Sequence, residues 1–219
     1  MGKNVRDAVN EGRADYTPTF LSEIPRLLTQ GPLKPDVALI QVSPPDPHGF
    51  CRLGLSIACA RSAVDTAPTV IALVNKQVPR TLGNSAVHIS RFASIVEVDR
   101  PLPTISPAVL GDTEQAIGRH VAELIPDRAT LQMGIGAIPD ATLACLTDRE
   151  DLGIHTEMFS DGLVTLANSG VITNRFKPTW RNRVVTSFAV GSQAVMDFVH
   201  ENPFVEFHPS DIVNDTREI

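Results

Sequence analysis

Residues 129–168 read ATLQMGIGAIPDATLACLTDREDLGIHTEMFSDGLVTLAN, and their order decides the fold class. ATLQM is a short apolar run that ends in GIG, the pattern of a buried strand entering a glycine turn. Pro139 suits the first turn of a helix, where its missing amide hydrogen would have no partner anyway, so a helix over about residues 139–146 is expected. A second apolar strand lies around LGIHTE, residues 152–157, followed by a helix over 161–168. Strand, helix, strand, helix in succession marks βαβ units, with parallel strands and helices on the faces of the sheet. Ligands of such open sheets bind in the crevice at the carboxyl ends of the strands. The turn at Gly134–Gly136 and Glu157, about twenty residues further on and directly after its strand, would open onto one crevice.

The alternation continues outward. Toward the N-terminus, strands are expected at VALIQV (37–42), TVIALVNK (69–76) and SIVEVD (94–99), with a helix at about 58–67. Helical spacing also shows in Val5, Ala8 and Val9, and again in Phe20, Ile24 and Leu27, where Pro25 fits only in a first turn. SPPDPHGFCRLG (43–54) is too rich in Pro and Gly to be regular. A helix over 112–124 starts with a capping-box-like Asp112 and Gln115 and lines one face with Ile117, Val121 and Leu124. Toward the C-terminus come strand RVVTSF, helix SQAVMDFV and strand FVEF. The proline-rich RPLPTISPAVL (100–110) divides the chain into an expected first domain, 1–102, and second domain, 103–219.

With 219 residues, 42% apolar and 20% charged, the chain is of ordinary globular composition. A formal charge of −6 argues against nucleic acid as a partner, because phosphate neutralisation needs surplus Lys and Arg. No apolar run is long enough to span a bilayer, and MGKNVRDAVNEG lacks a signal-peptide core, so a cytoplasmic location without membrane association is expected. Cys51, Cys59 and Cys145 are spaced for neither a disulfide framework nor zinc, and they read as reduced.

Several groups offer chemistry, each with a plain structural alternative. The turn within QMGIGAIPDA can direct backbone amides at an anion beside a helix N-terminus, or it can simply join a strand to a helix. It is neither a dinucleotide fingerprint nor a P-loop, since Pro139 replaces the third glycine and no Gly-Lys-Ser follows. Glu157 is either a crevice carboxylate or a first-turn helix acid, and Asp161 reads as a cap. Asp46 and His48 suit a turn better than a metal site. Lys76 and Arg80 form a basic spot that either meets phosphate or is solvated. His200 and His208 lack metal spacing and read as structural.

Taken together, EGRADYTPTFLSEIP, VSPPDPHGFCRLG, VNKQVPRT, QMGIGAIPDA, HTEMFSDG and HPSDIVND resemble the acetyl-CoA hydrolase/transferase family, which includes 4-hydroxybutyrate, butyrate and acetate CoA-transferases. The resemblance implies two tandem α/β domains of the CoA-transferase type, with this chain truncated at both ends: 1–102 as the later part of the family's N-terminal domain and 103–219 as the first part of its catalytic domain. It implies acyl-CoA:carboxylate CoA transfer through a glutamyl-CoA thioester on Glu157, with acyl-CoA hydrolysis or a non-catalytic CoA-binding fragment as the alternatives. Gly134, Ile135, Gly136, Ala137 and Ile138 correspond to the CoA-binding and oxyanion turn. Gln132 and His155 are further site candidates. Coenzyme A and acyl-CoA enter as substrates, with a short-chain carboxylate as the other partner. No metal and no permanently bound cofactor are implied, and a homo-oligomer is.

Overall fold

The computed structural model describes residues 2–106 and 109–218. In chain order the elements are α1 (Lys3–Asn10), a 3-10 turn (Leu21–Glu23) running into α2 (Ile24–Thr29), β1 (Val37–Val42), β2 (Phe50–Arg52), α3 (Ala60–Thr66), β3 (Thr69–Asn75), β4 (Leu82–Gly83), β5 (Ala86–His88) and β6 (Ser94–Val98). Then follow α4 (Asp112–Glu123), β7 (Thr130–Leu131), α5 (Ala137–Ala144), β8 (Gly153–Phe159), α6 (Asp161–Asn168), β9 (Val184–Ala189), α7 (Gln193–Val199), β10 (Val205–Phe207) and α8 (Ser210–Val213). Pro25 is buried in the first turn of α2, the one helical place that tolerates its missing donor.

The strands form two parallel sheets, β1-β3-β6 and β4-β10-β9-β8-β7, with β2 and β5 as a separate antiparallel pair. This is the α/β class, mainly parallel with helices, that the alternating pattern predicts. Because parallel strands need crossovers, the helices α5, α6 and α7 each return the chain to the start of the next strand of the second sheet. One strand departs from the linear order: β4, upstream of the proline-rich divider, joins β10 at the edge of the second sheet. Further bonds cross the same way, with Ala189 donating its amide to Leu55 O at 2.8 Å and Ile57 donating to Ser187 O at 3.0 Å. The apolar core accordingly runs without a break from Val42, Val70 and Val74 to Ile154, Phe159 and Phe207. Of the divider, Pro107 and Ala108 lie outside the described residues.

Some boundaries differ from those read in the sequence. β7 keeps only Thr130–Leu131 of ATLQM, and α5 starts at Ala137, ahead of Pro139. β8 continues two residues past Glu157, because Met158 and Phe159 pair with Phe188 and Ala189. Glu157 therefore sits inside its strand. Asp112 is the first helical residue of α4, and the cap position belongs to Gly111, without a side-chain cap. Asp161 likewise does not cap its own helix; its carboxylate accepts from the amide and hydroxyl of Ser192 and so fixes the start of α7.

Candidate active site

The turn after β7 is built by backbone geometry first. Gly136 has φ +123°, a conformation L side chains rarely adopt, and it forms the N-cap of α5 without a side-chain cap. The amides of Gly134, Ile135, Gly136, Ala137 and Ile138 donate to no described residue. Those of Gly136, Ala137 and Ile138 are donors that a helix start leaves over, and those of Gly134 and Ile135 belong to the turn that adjoins the positive end of α5.

Thr156, fully buried, holds this turn against β8: its hydroxyl accepts from the Met133 amide at 2.9 Å and lies 3.1 Å from the Met133 carbonyl oxygen. Its neighbour in register, Thr186, donates to the carbonyl of Glu157 at 3.1 Å. Two buried threonines thus link the turn to the backbone of the glutamate. Glu157 and residues Gln132, Met133, Gly134, Ile135 and Met158 line one cavity of about 450 Å³.

Alternate residues of β8 face α8. His155 is buried, with Nε2 2.9 Å from the Val213 carbonyl oxygen, which makes Nε2 the protonated nitrogen. Burial pushes its pKa down, with the Val213 hydrogen bond opposing, so the ring is held toward its neutral form. One residue on, Asn214 donates Nδ2–H to Glu157 Oε2 at 2.7 Å. One carboxylate oxygen is held and the other, Oε1, has no hydrogen-bond partner among the described residues.

Behind this site lies Lys177, 1% exposed, whose Nζ donates to Ile154 O at 2.7 Å and Arg183 O at 2.8 Å. It bridges the carbonyls of adjacent strands just before the His155 and Val185 pairing begins. Desolvation lowers its pKa to about 8.

The structure brings Glu157, Gln132, Gly134 and Ile135 to one cavity, and Gly136 borders the adjoining one. Ala137 and Ile138 open α5 beside them. His155 is on the strand face of Glu157 but is consumed by α8. The basic spot splits. Arg80 is 18% exposed and spent on Asp46 (3.1 Å), Glu201 (3.2 Å) and the Pro44 carbonyl (2.9 Å), while Lys76 stays out in solvent near Asp99. Asp46 accepts the His48 and Phe50 amides in a turn, and these bonds, Phe50 first, hold its pKa down. Among the described residues no group of three or more His, Cys, Asp and Glu could hold a metal ion. His208 is buried against Trp180 and Glu206, and His200 accepts from the Arg80 amide.

Asn214, Thr156 and Lys177 were not among the residues singled out in the sequence. Asn214 lies in HPSDIVND, 57 positions from Glu157, and no local spacing announces the contact. Lys177 sits in NRFKPTWRNR, where no local pattern marks a lysine for burial.

Fold and site define a class first: a parallel α/β protein whose crevice pairs one half-buried carboxylate with an arc of unpaired amides. The chain is similar to the acetyl-CoA hydrolase/transferase family. Residues 1–106 match the family model described as the acetyl-CoA hydrolase/transferase N-terminal domain. The 4-hydroxybutyrate coenzyme A transferase of Clostridium kluyveri is 50% identical over 214 residues, 98% of this chain and 50% of that protein. The succinyl-CoA:acetate/propanoyl-CoA:succinate CoA transferase of Fasciola hepatica is 48% identical over 94% of this chain and 43% of its own length. Among solved structures, a 4-hydroxybutyrate CoA-transferase from Porphyromonas gingivalis superposes with a TM-score of 0.86 at 42% identity, covering 97% of this chain and 55% of that one. The chain spans about half the length of the curated relatives it matches. No helix among the described residues is long and apolar enough to cross a membrane.

Proposed function

We propose that this chain carries the nucleophilic centre of an acyl-CoA:carboxylate CoA-transferase, with Glu157 as the attacking group. The observation that carries the reading is the shared cavity: Glu157, with Asn214 on one oxygen, lines it together with the Gly134–Ile135 turn.

The free oxygen of Glu157 attacks the thioester carbonyl, the C–S bond breaks, and CoA leaves as a thiolate from a glutamyl–acyl anhydride. The thiolate then attacks the glutamyl carbonyl carbon and expels the carboxylate product, leaving a glutamyl-CoA thioester. A second carboxylate opens that thioester by the reverse steps. One thioester is exchanged for another, so little net free energy is needed. In the first step negative charge develops on the acyl oxygen, next to the turn amides. In the second it develops on the glutamyl oxygen held by Asn214. Each well-placed donor contributes roughly 3 kcal/mol in comparable sites.

Gln132, which lines the cavity, orients an incoming oxygen, and His155, bonded to Val213, acts through α8 rather than on substrate. Coenzyme A and acyl-CoA are substrates, without a resident cofactor. A cytoplasmic, homo-oligomeric enzyme acting on short-chain acids completes the proposal.

Incubation with acyl-CoA should leave its mark on Glu157, read by peptide mass analysis as a CoA-derived mass or, after borohydride reduction has released CoA thiol, as the side-chain alcohol. An adduct on another residue, or none, contradicts the reading. CoA release with and without acetate separates transfer from hydrolysis: a rate indifferent to the added carboxylate contradicts transfer.

A further inference from the structure

Asn214 follows directly on α8, which is a single turn. One isolated turn does not hold its own place in water, so its position is set by what it is tied to. At its last residue, Val213 O accepts from His155 Nε2 at 2.9 Å. At its first, Ser210 is 1% exposed and makes two bonds out of the helix. The Ser210 hydroxyl donates to Leu21 O at 2.8 Å, and its amide donates to Ala58 O at 3.1 Å. Leu21 opens the 3-10 turn and Ala58 lies just before α3, so both acceptors belong to the part of the chain upstream of the proline-rich divider. The Asn214 amide donates back to Ser210 O at 2.9 Å, which links it to the clamped residue. Neither Ser210 nor Leu21 lines the Glu157 cavity.

We propose, resting on the CoA-transfer reading, that Ser210 is a positioning residue: its hydroxyl, bonded to Leu21 O, fixes where α8 presents Asn214 to Glu157. A helical turn held at one end alone can pivot about that bond. The Asn214 Nδ2–H bond to Glu157 Oε2 is 2.7 Å long, and a drift of about 1 Å would break it. Misplacement of that size can slow a reaction by roughly 10²-fold. Packing does not explain the hydroxyl, since alanine fills nearly the same space and a buried hydroxyl is unfavourable without a partner. Nor does Leu21 O require it, because the Ile24 amide already donates there. What the bond adds is a second fixed point for α8, so the N-terminal 3-10 turn governs the aim of a carboxylate in the second sheet.

The test measures formation of the Glu157 adduct from saturating acetyl-CoA, by peptide mass analysis, in the chain itself, Ser210→Ala, Asn214→Ala and the double variant. Ser210→Ala should slow the adduct by about tenfold while the dissociation constant for acetyl-CoA stays within about twofold. Its melting temperature should fall by no more than about 4 °C, since no acceptor is orphaned. The double variant should react within about twofold of Asn214→Ala alone, because the hydroxyl acts through the amide that is already gone. A Ser210→Ala rate equal to that of the unsubstituted chain overturns the inference. So does a double variant slowed by the product of the two single losses, which is the signature of a residue acting on stability alone. If Ser210→Ala does not fold, Ser210→Cys, which fills the same space with a weaker donor, carries the same cycle with a smaller loss. No adduct on Glu157 in the unsubstituted chain overturns the transfer reading and this inference with it, whereas an adduct with independent losses overturns only the role of Ser210.

Discussion

The two sheets of this molecule treat exposure in opposite ways. In the first, large apolar side chains stand in water: Leu39 is 77% exposed, and the exposed Val37 and Val96 share its face through the β1-β3-β6 register. In the second, β8 is buried at every position but one, and that one is Glu157, a charged residue. An apolar residue in water forgoes stabilisation without altering chemistry. A half-buried carboxylate inside an otherwise dry strand forgoes solvation, and it persists there because Asn214 and the open cavity accommodate it. The comparison separates what the fold leaves uncovered from what the site keeps open.

The largest contrast should come from truncating the two sheets. Phe159, fully buried on β8 and stacked on Phe198 at 5.7 Å, should cost about 3–5 kcal/mol of unfolding free energy when changed to Ala. Asn214→Ala should slow adduct formation at Glu157 by about 10²–10³-fold with the acyl-CoA binding constant little changed, because the lost donor acts as charge develops. An equal loss in binding and rate would make Asn214 a packing residue only.

Lys177 sharpens the comparison through pH. Its folded pKa of about 8 lies below the ordinary 10.5, so between these values the unfolded chain binds more protons and stability rises with pH. The penalty of charging is fully present below about pH 8 and is gone above about 10.5. A neutral amine keeps two hydrogens for the two carbonyls, so deprotonation breaks neither bond. Denaturant melts at pH 7.5 and 10 should show a rise of roughly 2–3 kcal/mol relative to Lys177→Met. A fall in that difference would contradict the buried-ammonium account. Gly136→Ala should cost about 1–3 kcal/mol through its positive φ, since open space surrounds the added methyl. The smallest effect belongs to the first sheet: Leu39→Lys should change stability by less than about 0.5 kcal/mol.

The course of the fold was legible where period and punctuation agreed. GIG between an apolar run and Pro139 marks strand, turn and helix within three residues of the observed bounds. What was not legible depends on partners distant in sequence. Nothing in Leu82–Gly83 signals that it will pair with Glu206–Phe207, because a two-residue strand has no period. β8 outruns its predicted end only because β9 supplies partners for Met158 and Phe159. Arg80 reads as a phosphate candidate until Asp46 and Glu201 are brought to it from opposite ends of the chain. Glu157 and its turn could be placed at one crevice from strand polarity alone, whereas Asn214 could not, since its role exists only after α8 packs on β8.

Whether Glu157 is the nucleophile is settled most directly by peptide mass mapping after incubation with an acyl-CoA thioester, comparing the chain with Glu157→Gln. A CoA-derived mass on the Glu157 peptide, absent from the glutamine variant, is the outcome expected here. The same mass on any other peptide, or its persistence in Glu157→Gln, would contradict it.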